Sequence, residues 1–263
     1  MTTERDDAPV ADRRLDLFWG GGERPARGPR PRLSRDQVVR AAVDVADAEG
    51  IDAVSMQRVA KELGYTTMSL YRHVPGKEQL LELMADAASG PAPDCTGAPG
   101  GWRGELEAVV LAMADVLRRH PWSLHLRLSG PPIGPCGLSW MDALLAPLLR
   151  AGLASDEALA VISFLNGAVR ELARIHGDIA AAHGDGVERA ERAYGDALRR
   201  VATADAYPSI ARIVADGVFD PPPAADPRPD PDPEADADIV FGLRRLLDGI
   251  EGHVRARGAA PAG

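Results

Sequence analysis

The sequence predicts an all-α protein built in two helical parts. Apolar residues recur at three- and four-residue spacing along most of the chain, and no β-branched alternating run of convincing length occurs. Glycine and proline cut the periodic stretches into helix-sized lengths. At 263 residues and 45% apolar composition, there is material for one large domain or two smaller ones with a substantial core.

Residues 1–31 contain GGG and RPARGPRPR and are expected to form a disordered basic arm, apart from a small apolar knot at Leu15, Leu17, Phe18 and Trp19. LSRDQVVRAAVDVADAEG follows. Ser34 is placed to cap a helix that carries Val38, Ala41, Ala42, Val45 and Ala46 on one face and stops at Gly50. SMQRVAKEL ends at Gly64, TTMSLYRHV ends before Pro75, and GKEQLLELMADAA makes a fourth helix. These short, crowded segments define a small domain over 32–90. The Pro/Gly-rich stretch SGPAPDCTGAPGG, 89–101, is the domain boundary.

A larger helical domain is expected over 101–256. Its segments are WRGELEAVVLAMADVLRRH, PWSLHLRLS, GLSWMDALLAPLLRAG and SDEALAVISFLNGAVRELARIHGDIAAAH, with two more near 187–203 and 207–216. Residues 220–238 hold seven prolines and seven acids and are expected to be a solvated, disordered loop, neither helix nor buried sheet. IVFGLRRLLDGIEGHVRAR then resumes as an amphipathic helix with Ile239, Leu243, Leu246, Leu247, Ile250 and Val254 on one stripe.

Within the small domain, residues 54–73 read as a helix-turn-helix. Ser55 caps the first helix, Val59, Ala60 and Leu63 form its buried side, and Gly64 supplies a left-handed turn. Leu70 and Val74 face inward on the second helix, which leaves Thr67, Met68, Tyr71 and Arg72 outward. A short helix with small polar and aromatic residues on its outer face fits the DNA major groove. By itself the pattern also fits an ordinary surface helix of a bundle.

Charge is distributed unevenly. Residues 23–77 hold ten Lys/Arg against seven Asp/Glu, a balance of +3, so the remainder of this −9 chain carries −12. Five arginines between 24 and 35 face no acid. A basic end on an acidic body is the asymmetry of a protein that meets phosphate at one end only.

Taken together, AAVDVADAEGIDAVSM followed by RVAKELGYTTMSLYRHVPGKEQLLELM resembles the DNA-binding domain of the TetR family of transcriptional repressors over roughly residues 33–90. The later stretches WRGELEAVVLAMADVLRRHPW, GPCGLSWMDALLAPLLRAGLASDEAL and FGLRRLLDGIE resemble the tetracycline-repressor type of ligand domain. The resemblance implies that Gln57, Thr67, Met68 and Tyr71 face base edges and that Ser55, Ser69, His73 and Lys77 hold phosphates. Arg72 lies on the same outward face. The chemistry agrees: Gln57 suits adenine N6/N7, while Thr67 and Met68 suit a thymine methyl. Arg30, Arg32 and Arg35 extend the footprint along the backbone or minor groove.

The same resemblance implies a homodimer on a near-palindromic operator, with a four-helix interface drawn from 155–176 and 239–256. Leu159, Ile162, Leu165, Leu243, Leu246, Leu247 and Ile250 are the interface candidates, and intramolecular core is the alternative for each. For a small hydrophobic effector, Trp102, Trp122, His125, Leu128, Trp140, Met141, Phe164, Asn166 and Arg170 are of the kinds that line a pocket: apolar walls with few polar anchors. His125 follows HPW where the tetracycline repressor has a histidine serving a metal–drug complex, but HLRLSGPP departs from that pattern. No metal and no cofactor are expected.

The reading that emerges is a sequence-specific DNA-binding repressor released by a small molecule. A regulator lacking an effector, acting as constitutive repressor or activator, stays open. Enzyme classes find no support: GxSxG, HExxH, phosphate-cradling glycine loops and dinucleotide fingerprints are absent from the sequence. No apolar run reaches the roughly 18 residues a membrane span needs, and the first residues are too charged for a secretory signal, so the cytoplasm is the expected compartment. Cys95 and Cys136 sit in no CxxC or metal-spaced pattern and are expected to be free thiols.

Overall fold

The computed structural model describes residues 10–20, 33–127, 130–220 and 233–259; every regular element among these is helical. The first, α1 (Val10–Trp19), falls inside the segment expected to be a disordered arm. Its order has a tertiary cause. Leu17 and Phe18 pack on the core of the next helices, Arg14 pairs with Glu82 at 2.8 Å, and the Trp19 indole donates to the Ile133 carbonyl. The apolar knot thus finds a surface to bury against, which offsets the entropy lost on ordering the segment. The rest of the expected arm, Arg30 and Arg32 included, lies outside the described residues.

Four helices make the small domain: α2 (Arg35–Glu49), α3 (Met56–Leu63), α4 (Thr67–Tyr71) and α5 (Lys77–Ser89). At the start of α2 the Ser34 hydroxyl accepts from the Gln37 N–H, and the Gln37 side chain accepts from the Ser34 N–H, a reciprocal capping box. Val38, Val59, Leu70, Val74, Leu80 and Met84 are fully buried together. Each lies at helical spacing on its own segment, so one contiguous core fixes four short helices that are too short to be stable alone.

The larger domain comprises α6 (Trp102–Arg119), α7 (Pro135–Ala151), α8 (Ser155–His183), α9 (Val187–Val201), α10 (Pro208–Ala215) and α11 (Pro233–Ala259). α6, α7 and α8 pack on one another, and α11 lies across α6 and α8. Leu106, Val110, Leu148, Ala158 and Leu247 are among the most deeply buried members of this second core. Ion pairs fasten α11: Arg103 to Asp248 at 2.5 Å, Arg244 to Glu107 at 2.8 Å and Arg257 to Glu157 at 2.6 Å.

Two segments differ from expectation. Helix α11 starts at Pro233, inside the segment expected to be a loop, because proline's missing N–H is no loss at a helix's first position. Residues 221–232 lie outside the described residues. PWSLHLRLS is helical only as a short 3-10 turn, Pro121–His125; Leu126 is already extended. Pro121 opens that turn after His120 leaves the helical region (φ −127°, ψ 63°), and the following Gly-Pro-Pro cannot continue a helix.

The two domains interlock at two places. Trp122, from the 3-10 turn, is buried in the core of the small domain, and its indole donates to Asp47 Oδ1 of α2 at 2.6 Å. His120 Nδ1 donates to the same oxygen at 2.8 Å. At the other, Asp86 of α5 accepts from the Gly137 N–H at 2.8 Å, and the Trp140 indole donates to the Gly90 carbonyl at 3.0 Å.

Candidate nucleic-acid interface and effector cavity

The reading head is built from local rules. Ser55 Oγ accepts from the Arg58 N–H at 3.1 Å and so caps α3; its own O–H remains free to donate outward. Gly64 takes the left-handed conformation (φ 71°), and the Tyr65 N–H reaches back to the Ala60 carbonyl at 2.9 Å. This closes a tight turn and sets α4 across α3. Thr66 holds the N-cap position of α4 with extended backbone; its carbonyl accepts from the Ser69 N–H at 2.9 Å, and the two hydroxyls lie 3.0 Å apart. With Leu70 and Val74 wholly buried, Met68 is left 71% exposed and Tyr71 46%. Gln57 and Arg72 are exposed; Thr67, Ser69, His73 and Ser55 are half-buried.

The cations of this face fall into two kinds. Arg58 is neutralised within the fold, with Glu49 at 2.5 Å and Glu62 at 2.7 Å, and these carboxylates drive its pKa further up. Arg72 and Lys77 have no acidic partner among the described residues. Lys77 is the first residue of α5, whose N-cap, Gly76, offers no side chain to the free N–H groups there. A cation beside unsatisfied N–H donors is an arrangement suited to phosphate.

A cavity of about 540 Å³ lies where the two domains meet. Its walls are Met113, Val116 and Leu117 of α6, Trp140, Met141 and Leu144 of α7, and Leu159, Ile162, Ser163, Asn166 and Arg170 of α8. From the small domain, α5 contributes Glu82, Ala85, Asp86 and Ser89, while α1 contributes Arg14 and Phe18. The volume is that of a drug-sized ligand site. The Arg170 guanidinium donates to the Ser123 carbonyl at 3.0 Å, and burial without a nearby carboxylate lowers its pKa.

Of the pocket residues expected from sequence, Trp140, Met141, Asn166 and Arg170 line this cavity. Trp102, Trp122, His125 and Phe164 do not, and Leu128 lies outside the described residues. Trp102 packs on the core of the larger domain, Trp122 fills the small domain, and His125 and Phe164 face solvent. An aromatic side chain of either role has the same composition, so the sequence did not separate them. Sequence reading missed Arg14, Phe18, Glu82 and Asp86. Only the acidic pair left a signal, since Glu82 and Asp86 share one face of α5 at four-residue spacing.

Most of the interface candidates fall on the alternative given for each, intramolecular core. Ile162, Leu165, Leu243, Leu247 and Ile250 are buried in the chain's own core, Leu246 packs against it, and Leu159 edges the cavity. The buried parts of the α8 and α11 stripes pack on each other and on α6. Their outward faces carry Leu159, Phe164 and Phe241, the last two 64% and 68% exposed. Among the described residues no group of three His, Cys, Asp or Glu could hold a metal, and no helix is long and apolar enough to cross a membrane.

Comparison with known proteins bears on both parts of the chain. Residues 38–84 match the profile of bacterial regulatory proteins of the tetR family, and residues 96–254 match that of the tetracyclin repressor-like C-terminal domain. The HTH-type transcriptional repressor DrrR1 of Streptomyces coeruleorubidus is 37% identical over 257 residues, covering 95% of this chain and 89% of that one. The apo structure of ActR from Streptomyces coelicolor superposes with a TM-score of 0.69 at 21% identity, over 87% of this chain and all of that one. ActR in complex with actinorhodin gives 0.66 at 23% identity, over 88% and 99%. With matches that span both domains, the chain belongs to the TetR family of bacterial transcriptional regulators.

Proposed function

We propose that the protein represses transcription in the cytoplasm by binding a near-palindromic operator as a homodimer, and that a small, largely apolar effector releases it. The observation that carries this reading is the position of the cavity. It is walled by the body on one side and, on the other, by the helix that begins at Lys77 beside the reading head. An occupant that favours one spacing of α5 from α6–α8 shifts the reading head with it, and operator affinity falls by the occupant's differential binding to the two states.

At the DNA, Gln57, Thr67, Met68 and Tyr71 meet base edges, with Met68 and Thr67 against thymine methyls. Ser55, Ser69, His73 and Lys77 hold phosphates, and Arg72 adds charge on the same side. Phe164 and Phe241, on the outward faces of α8 and α11, seat against a second copy of the chain.

The test starts from duplexes selected by the protein from a random pool, which should converge on a near-palindrome with half-sites one helical turn or a multiple apart. Tyr71→Ala should lose the operator shift with an unchanged thermal melt. Lys77→Ala should weaken binding across sequences and reduce the slope of log K against log salt by about 1. Full operator affinity in both variants would refute the interface. Release of operator on titrating candidate small molecules tests the effector; saturated cavity with DNA still bound would leave a regulator without effector control.

A further inference from the structure

The cavity has two chemically different ends. On α5, Glu82 is paired with Arg14 at 2.8 Å, and Asp86 accepts the Gly137 N–H at 2.8 Å and the Cys136 N–H at 3.3 Å. Arg14, which lines the cavity too, neutralises Glu82, so Asp86 leaves that wall net negative and unfavourable to an incoming anion. On α8, Asn166 and Arg170 stand four residues apart and so share one face, opposite in character. The Arg170 guanidinium is half-buried and has no acidic partner among the described residues. One of its five N–H donors serves the Ser123 carbonyl. The hydroxyl of that same Ser123 is buried without any partner. A charge drawn this far from water is held more cheaply when an anion faces it, and the cavity is where the facing group would sit.

We propose that Arg170, seconded by Asn166, is an anion anchor, and that the effector class is an amphipathic organic acid. Its apolar ring body lies between Met113, Leu117, Trp140 and Met141, and its carboxylate- or sulfonate-type group meets the Arg170 fork. Asp86 of α5, the wall's uncompensated acid, repels the same group, so the ligand enters in one orientation. Arg170 is thereby the residue that selects acids over neutral molecules of equal size, and its bond to Ser123 ties the anchor to the turn that carries Trp122. This inference rests on the cavity being the effector site.

Two probes with one skeleton isolate the charge: 8-anilinonaphthalene-1-sulfonate and the neutral N-phenyl-1-naphthylamine, titrated by fluorescence against the full chain. The anionic probe should bind once per chain, be displaced competitively by the neutral one, and bind at least about tenfold more tightly, about 1.4 kcal/mol. Arg170→Met should remove that preference and leave the neutral probe's affinity unchanged, while Arg170→Lys should retain most of it. Should Arg170→Met fail to fold, the preference in the unaltered protein and its reduction in Asn166→Ala decide. Equal affinities for the two probes, or an equal loss of both in Arg170→Met, overturn the anchor while leaving the cavity in place. Binding of neither probe overturns the cavity reading, and the anchor with it.

Discussion

Met68 and Tyr71 hold apolar surface in water on a helix of five residues, where nothing in the protomer needs them. Their neighbours Leu70 and Val74 are wholly buried, so the register of α4 is fixed and the exposure of the other two is imposed. That register was legible because Ser55, Gly64 and Thr66 act within a few residues of themselves. Leu243, Leu247 and Ile250 stayed open between interface and core for the opposite reason: an apolar stripe tells that a face is buried, not which molecule buries it. Cys136 gives a pH prediction at this scale. Burial, then the nearby Asp86 carboxylate, pushes its thiol from 9.0 up to about 11. Because the folded value is raised, its stabilising contribution is complete below pH 9 and is lost as pH rises toward 11. The native protein should therefore be alkylated slowly at Cys136 at pH 8 and lose stability between those values, and Cys136→Ala should flatten that loss. A prompt reaction at pH 8 would contradict the assignment.

Among the elements, α1 was the least legible. Its partners, Glu82, Ile133 and Arg35, are distant in sequence, and no local pattern announces them: Arg14 pairs with the first, Trp19 donates to the second, and the third donates to the Leu17 carbonyl at 2.6 Å. It contributes Arg14 and Phe18 to the cavity wall while touching both domains. Deleting residues 1–20 should thus weaken binding of N-phenyl-1-naphthylamine severalfold and leave operator affinity intact, since the polar bonds of Arg14, Trp19 and Leu17 run to Glu82, Ile133 and Arg35 and not to α3 or α4. Unchanged probe affinity in the truncated protein would remove α1 from the site. The helices of the two cores, by contrast, were readable from periodicity, and the cavity they enclose was not. Trp140 lines it and Trp102 does not, a difference made by which face of α6 or α7 looks inward.

For the whole molecule, the small domain is completed by a residue of the larger one. Trp122 fills the core of α2, α3 and α5 and donates to Asp47. The unaltered protein should accordingly unfold in one calorimetric transition, and Trp122→Ala should split it, with the small domain destabilised by about 3–5 kcal/mol. A single transition in the variant would show that the docking is not what joins the two parts.

Helix α5 has its tail held by the Trp140 indole at the Ser89 and Gly90 carbonyls, its middle at the cavity, and its head at Lys77. Thirteen residues at 1.5 Å each give an arm about 20 Å long. Swung through about 10° from its anchored tail, such an arm displaces its tip by about 3.5 Å, beyond the tolerance of a hydrogen bond. Leverage of this kind lets a nudge near the fulcrum decide whether the far end still grips.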